Sequence, residues 1–184
     1  MTRDQALTLV RKYVKNENLI RHMLAVEAGM SAYAKKFGQN EERWRVAGLL
    51  HDFDWEIHPT LKDHPQKGSD ILRNEGVDED MIRTILSHAN HTGVKRNKLI
   101  DKALYACDEI TGLIVTTALV RPSKKIEDVK ISSIKKKWKE KSFAAGVNRR
   151  EVEEGAKELG VDLWQEHIPT MLKAMQNISN DLGL

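Results

Sequence analysis

The stretch Val46-Ala47-Gly48-Leu49-Leu50-His51-Asp52 decides how the rest of this sequence is interpreted. Its run of apolar and small residues predicts the buried end of a helix, which we place at about Glu41 to His51. An imidazole and a carboxylate follow this run directly. Divalent metals bind nitrogen and oxygen ligands of this kind, so the stretch predicts a metal-binding pair at a helix end.

The sequence on both sides of this stretch predicts an all-α fold. Apolar residues recur at spacings of three and four, and no alternating apolar-polar run is bounded by hairpin turns. No repeat, low-complexity tract or linker divides the chain, so we expect a single domain over residues 1–184. The other predicted helices cover about Asp4–Lys15, Leu19–Phe37, His64–Asn74, Glu79–His88, Asn97–Val120, Ser132–Lys141, Asn148–Leu159 and Asp162–Leu182.

Two further polar residues lie inside predicted apolar helices. His22 stands among the apolar residues of the second helix, and Asp108 precedes the least polar part of the chain. A carboxylate is rarely buried without a partner, because isolated burial costs several kcal/mol. The alternative for each residue is a helix cap or a satisfied buried polar group. Six of the seven histidines fall between residues 22 and 91, which favours a shared site.

The order His22, His51-Asp52, Asp108 resembles the H…HD…D set of the HD-domain metal-dependent phosphohydrolase superfamily. Residues 47–52 are similar to the core helix of that family, and residues 108–113 to its last metal-binding helix. The resemblance covers about residues 18–120, and residues 121–184 are expected to form a C-terminal helical extension. It implies an HD-type helical bundle in which these four residues hold a divalent metal.

A second group of histidines resembles the HD subfamilies that hold two metals. His64-Pro65 and His88 stand where those proteins complete a second site, and His91 is a further candidate ligand. The resemblance implies one or two divalent ions, and Mn, Fe, Mg, Zn, Ni and Co are equally compatible with the residues.

The resemblance implies hydrolysis of a small phosphorylated substrate, a nucleotide or another phosphoester, by a metal-activated water. His51 and Asp52 are the expected catalytic residues. Trp55 stands where many relatives have a lysine or glutamate, so Asp54 is our candidate for proton transfer. Lys95, Arg96 and Trp55 are the candidates for substrate binding, the two cations because they follow the histidine stretch directly. Two alternatives remain, a di-iron oxygenase of the same architecture and a nucleotide-sensing module without turnover.

Charge and hydropathy limit the other classes of partner. The formal net charge is +3, and the basic segment Arg121–Lys141 carries nine basic and three acidic residues. We interpret this segment as a solvated helix face, which disfavours nucleic acid as a partner. The longest uncharged stretch near the middle has 11 residues, short of the roughly 20 that span a membrane, so no membrane association is expected.

Cysteine usage and the amino terminus predict a cytoplasmic protein. The single cysteine, Cys107, cannot form an internal disulfide and is expected to be a packing residue. No secretory signal is recognised at the amino terminus. His167 is predicted to be a surface residue, and the sequence is compatible with a homodimer.

Overall fold

A computed structural model describes residues 1–184, and it confirms the all-α prediction, with ten α-helices and no strand. None of the helices combines the length and the apolar character needed to cross a membrane. The helices are α1 (Arg3–Tyr13), α2 (Glu17–Lys36), α3 (Glu41–Leu50), α4 (Gln66–Asn74), α5 (Glu79–Ser87), α6 (Leu99–Leu119), α7 (Ile131–Trp138), α8 (Arg149–Leu159), α9 (Ile168–Gln176) and α10 (Ser179–Leu182).

Side-chain caps define where α2, α3 and α5 begin. The side chains of Asn16, Asn40 and Asp78 accept hydrogen bonds from backbone N–H groups in the first turns of α2, α3 and α5. Each such cap satisfies a donor that the helix itself leaves unpaired and contributes about 1 kcal/mol. These three helices therefore start at residues that the local sequence specifies.

Close packing of α2 against α3 depends on Gly48. A Cβ atom at this position would lie 2.8 Å from the Cα and N atoms of Glu27, so only glycine allows the two backbones to approach this closely. The carboxylate of Glu27 is buried at this contact and pairs with Arg3 and Arg45, each at 2.8 Å. The contact brings the histidines of α2 and α3 next to one another.

Helix α6 runs through the middle of the molecule and packs against α2, α5, α8 and α9. Its side chains Leu104, Ile110 and Leu113 are completely buried, as is Cys107, which packs in the core as expected. One cluster of buried apolar residues extends from Ala6 to Leu182. Because α6 touches both α2 and α5, it can place a carboxylate beside residues that are distant in the sequence.

The last third departs from the predicted helices. The basic helix α7 ends at Trp138, and the helix expected over Asp162–Leu182 is divided into a π-helical turn (Leu163–His167), α9 and α10. Pro169 lies in the first turn of α9 and has no N–H to continue the preceding turn, which explains the first break. The surface prediction for His167 is wrong, because its side chain is completely buried.

Candidate metal centre

Four histidine Nε2 atoms and two aspartate carboxylates converge at the open end formed by α2, α3, α6 and the turns that follow α3 and α5. They form two groups, and within each group the ligand atoms lie within 4.8 Å of one another. One group is His22, His51 and Asp108, and the other is Asp52, His64 and His88. The structure therefore brings together six of the seven residues predicted as metal ligands.

The spacing within the first group suits a shared ion. His22 Nε2 lies 3.1 Å from Asp108 Oδ1 and 3.1 Å from His51 Nε2. His51 Nε2 lies 3.6 Å from Asp108 Oδ1. Nitrogen and oxygen ligands that share an ion at about 2.1 Å are separated from one another by about 3–3.5 Å. Two of the three separations match this range, and the third exceeds it by 0.1 Å.

Asp52 belongs to the second group and also faces the first. Its Oδ1 is 3.3 Å from His64 Nε2 and 3.5 Å from His88 Nε2, and those two nitrogens are 3.3 Å apart. Its Oδ2 faces the other way, 3.5 Å from His22 Nε2 and 3.6 Å from His51 Nε2. A single carboxylate thus offers one oxygen to each group.

Backbone carbonyls orient two of the histidines. His51 Nδ1 lies 2.8 Å from the carbonyl oxygen of Gly48, and His88 Nδ1 lies 2.6 Å from that of Ile85. A carbonyl only accepts, so each Nδ1 must carry the proton and donate it. The lone pair of Nε2 is then left for a ligand, which is the arrangement expected of metal-binding histidines.

A hydroxyl orients His22 in the same way. The Thr111 hydroxyl donates to the backbone carbonyl of Asp108 at 2.8 Å, so its oxygen accepts from His22 Nδ1 at 3.0 Å. Thr111 lies three residues after Asp108 on α6, and the one helix therefore supplies a ligand and the partner of another ligand. The role of Thr111 was not predicted, although the spacing of three residues after Asp108 is a signal for it.

Asp54 lies behind His64 and does not face the pocket, so the structure does not support the proton-transfer role expected for it. His64 Nδ1 lies 2.8 Å from Asp54 Oδ1, and the Asp54 side chain is completely buried. Gly68 makes room for this carboxylate, because a Cβ there would lie 2.4 Å from Asp54 Cγ. Asp54 is therefore a positioning residue that directs Nε2 of His64 toward Asp52.

The carboxylates give the centre a strong affinity for positive charge. Burial opposes ionisation of Asp52, yet the neighbouring His51, His22 and His88 hold the pKa of this carboxyl well below its usual range. Burial likewise lowers the pKa of His22, but the carboxylates of Asp108 and Asp52 outweigh it and raise that pKa to about 10. A cation placed between these groups is stabilised by both carboxylates.

The centre opens into a pocket of about 630 Å³. Trp55 lines it, as expected of a substrate-binding candidate, with its ring edge-on to His64 at 4.9 Å between centroids. Leu61 forms part of the same wall and is largely exposed. Two carboxylates that were not predicted, Glu109 and Glu151, also line the pocket. They come from α6 and α8, and no motif in the sequence indicated that these helices meet there.

Two residues predicted to bind substrate lie outside the pocket, and one predicted metal ligand belongs to neither ligand group. Neither Lys95 nor Arg96 lines the pocket. Arg96 instead stacks on Tyr105 at 3.7 Å and forms an ion pair with Glu158 at 2.8 Å. His91 lines the pocket but belongs to neither ligand group, and its Nε2 donates to the backbone carbonyl of His64 at 2.8 Å. The side chain of His91 therefore acts on the loop and not as a ligand through Nε2.

Comparison with known proteins supplies the family. The model of the HD domain family matches residues 19–113, more than half of the chain. The chain belongs to the HD domain family. The matched segment contains both ligand groups, and HD domains bind divalent metals and are generally phosphohydrolases. The family assignment made from the sequence is confirmed.

Curated relatives of this HD domain are longer proteins. The chain is 28% identical over 98 residues to ribonuclease Y of Oleidesulfovibrio alaskensis, covering 53% of this chain and 18% of that protein. It is 33% identical over 73 residues to ribonuclease Y of Thermotoga maritima, covering 39% of this chain and 14% of that protein. It is 28% identical over 116 residues to the tRNA (cytidine(56)-2'-O)-methyltransferase of Thermoplasma volcanium, covering 61% and 34%. No solved structure matches the chain at a comparable level of significance.

Proposed function

We propose that this HD domain is a metal-dependent phosphohydrolase that acts on a nucleotide or another small phosphoester through a metal-activated water. The observation that carries the proposal is the position of Asp52, whose two oxygens face two separate histidine pairs at 3.3–3.6 Å. This arrangement suits two ions that share one carboxylate. The similarity to ribonuclease Y, a hydrolase by its name, supports the same class of reaction.

Divalent ions bound at these residues would supply Lewis acidity, which lowers the pKa of a water toward neutrality and offsets the charge of a phosphoryl group. The chain's own residues prepare the centre for them. Each of the four histidines donates the proton on Nδ1 to an acceptor behind it, and this directs its Nε2 inward. His51 and His88 donate to the carbonyls of Gly48 and Ile85. His22 and His64 donate to the side chains of Thr111 and Asp54. Because these contacts exist in the fold itself, the ligands need little reordering when a metal binds.

The walls of the pocket orient the substrate. Trp55 presents an apolar surface beside His64, and Leu61 adds another from the same loop. An aromatic and an aliphatic side chain suit the flat, weakly polar face of a nucleobase. The phosphoryl group would then point toward Asp52 and Asp108, which would hold the ions. We therefore place a nucleotide among the first substrates to test.

The test is phosphate release from a panel of nucleotides and other phosphoesters. The protein is first stripped of metal, and Mn, Mg, Co, Ni, Zn and Fe(II) are then added separately. We expect release with at least one metal, its loss in Asp52→Ala, and its retention in His58→Ala. His58 is the matched control, because it lies in the same loop and belongs to neither ligand group.

The same panel distinguishes the alternatives. No release with any metal, although metal is bound, would overturn the phosphohydrolase. Oxygen uptake by an iron-loaded protein without phosphate release would support the di-iron oxygenase, whose ligands would be the same histidines and carboxylates. Tight nucleotide binding without product over hours would support the sensing module.

A further inference from the structure

The pocket that contains the candidate metal centre is acidic, and its histidines are its only side chains that can carry a positive charge. Four carboxylates line the pocket, those of Asp52, Asp108, Glu109 and Glu151, and neither lysine nor arginine does. Phosphate-binding pockets that take nucleoside triphosphates normally neutralise the outer phosphates with lysine or arginine. The absence of such residues here has consequences for the substrate, provided that the proposed function holds.

Glu109 and Glu151 are fixed in the wall by a neutral residue. The backbone N–H of Asn148 donates to Glu109 Oε2 at 3.0 Å, and the Asn148 side-chain amide donates to Glu151 Oε1 at 2.8 Å. Neither carboxylate forms an ion pair with lysine or arginine. No direct ion pair therefore offsets either charge, and each carboxylate has one oxygen that accepts no hydrogen bond within the protein.

Three cations that lie close in the chain to pocket segments are engaged elsewhere. Arg96 is held by Glu158 and by the ring of Tyr105. Lys137 pairs with Glu140 at 2.7 Å. Arg149, the first residue of α8 and two residues before Glu151, donates to the backbone carbonyls of Trp138, Glu140 and Phe143. None of these side chains is free to meet a second or third phosphate.

We propose that the pocket selects a substrate with a single phosphoryl group, joined to an uncharged or cationic body that carries hydrogen-bond donors. Two divalent ions would balance the four carboxylates of the wall, and one phosphoryl group would be held at the ions. Each additional phosphate would bring negative charge toward Glu109 and Glu151. Hydroxyl or amino groups, such as those of a ribose, would instead donate to these oxygens. The proposal rests on the proposed function and narrows its substrate class to nucleoside monophosphates and similar esters.

The experiment compares AMP, ADP and ATP as substrates at a constant concentration of free metal ion. We expect kcat/KM to fall by about tenfold for each added phosphate, as like charges a few ångströms apart in a partly solvated site repel. The double variant Glu109→Gln with Glu151→Gln should reduce the AMP-to-ATP ratio by about tenfold or more, because two of the repelling charges are removed. Chelation of metal by ATP is the same for every variant and cannot produce this change.

Glu153→Gln is the matched control, because Glu153 lies on α8 with Glu151, is exposed and does not line the pocket. It removes the same charge from the protein and should leave the AMP-to-ATP ratio unchanged. Calorimetric binding of AMP and ATP to the metal-loaded protein gives a second readout that does not depend on turnover. Thermal unfolding of each variant checks that the fold is intact, and Glu151→Gln alone provides the milder substitution.

The outcomes separate this inference from the function on which it rests. Hydrolysis of ATP as fast as AMP, or a ratio that the double variant leaves unchanged, would overturn the inference and leave the phosphohydrolase standing. Absence of turnover with all three substrates and with other phosphoesters would overturn the proposed function, and the inference with it. A fall in the ratio with Glu153→Gln as well would assign the effect to net charge and not to the pocket wall.

Discussion

His51 and His167 are both completely buried, yet their ring nitrogens have different hydrogen-bond partners. His51 Nδ1 donates to the carbonyl of Gly48, and His51 Nε2 faces the carboxylates of the candidate metal centre. His167 uses both nitrogens within the protein. Its Nε2 donates to the backbone carbonyl of Ala106 at 2.9 Å, and its Nδ1 accepts from the hydroxyl of Tyr33 at 2.7 Å.

The difference shows that burial alone does not distinguish a ligand from a structural histidine. Burial lowers the pKa of a histidine in both regions. At His167 nothing outweighs it, and the pKa falls to about 4. At His22 in the metal centre, two carboxylates reverse its effect and raise the pKa to about 10. An Nε2 that faces carboxylates therefore marks a candidate metal ligand, and a histidine with both nitrogens hydrogen-bonded within the protein marks a packing residue.

Removal of the shared carboxylate of Asp52 should have the largest effect, and it should act on metal affinity. Asp52→Ala takes one oxygen from each ligand group, so we expect metal affinity to fall by about a thousandfold or more, about 4 kcal/mol. Equilibrium dialysis followed by elemental analysis measures it. His58→Ala should keep the wild-type metal content, and retention of two ions per chain by Asp52→Ala would contradict the shared role.

Substitution of His167 should lower stability and leave metal affinity nearly unchanged. His167→Ala leaves a cavity and a buried Tyr33 hydroxyl without its acceptor, so we expect unfolding free energy to decrease by about 3–4 kcal/mol. Urea denaturation in the presence of a chelator measures this decrease. Metal affinity should change little, since His167 contacts neither ligand group. A large loss of metal with unchanged stability would show that our distinction between the two regions is wrong.

The destabilisation by His167→Ala should depend on pH. The folded protein holds His167 neutral with a pKa of about 4, whereas the unfolded chain has the ordinary value of 6.5. Between these values the unfolded state binds the extra proton, so the wild type loses stability as pH falls from 6.5 to 4. The variant has no such loss. The difference in unfolding free energy between the wild type and the variant should therefore shrink by about 3 kcal/mol at most over this range. Denaturation of both proteins at several pH values tests this, and a deficit that grows in acid would contradict it.

The smallest expected effect concerns the residue behind His64. Asp54→Asn keeps the shape of the side chain but weakens the acceptor for His64 Nδ1, so affinity for one of two ions should fall by about 10–100-fold. Calorimetric metal titration resolves the two binding steps. Equal weakening of both steps would mean that Asp54 acts on the fold as a whole and not through His64.

The fold class and the order of the ligands could be predicted from the sequence. Helical spacing is a local property, and the family motif orders His22, His51-Asp52 and Asp108 along the chain. The structure brings these residues and His64 and His88 together. Helix ends were less accurate in the last third, where the break at Pro169 interrupts an otherwise periodic pattern.

Side-chain partners outside the motif could not be predicted. Arg96 was expected at the pocket because it follows the histidines, but it pairs with Glu158, which is 62 residues away in the chain. Asp54 was expected to transfer protons, but the loop turns its carboxylate behind His64. In both segments no helical periodicity indicates which way a side chain faces, and the nearest partner comes from a distant part of the sequence.

The sequence by itself determined that this protein is helical, that it belongs to the HD domain family, and which histidines and aspartates are available to hold a metal. These properties depend on local periodicity and on a motif whose members need only be present in order. Tertiary structure alone decided that His167 is structural, that Asp54 supports His64, and that Glu109 and Glu151 share the pocket wall. The physical reason is that burial, hydrogen-bond partners and local charge depend on contacts between helices, which spacing along one helix does not specify.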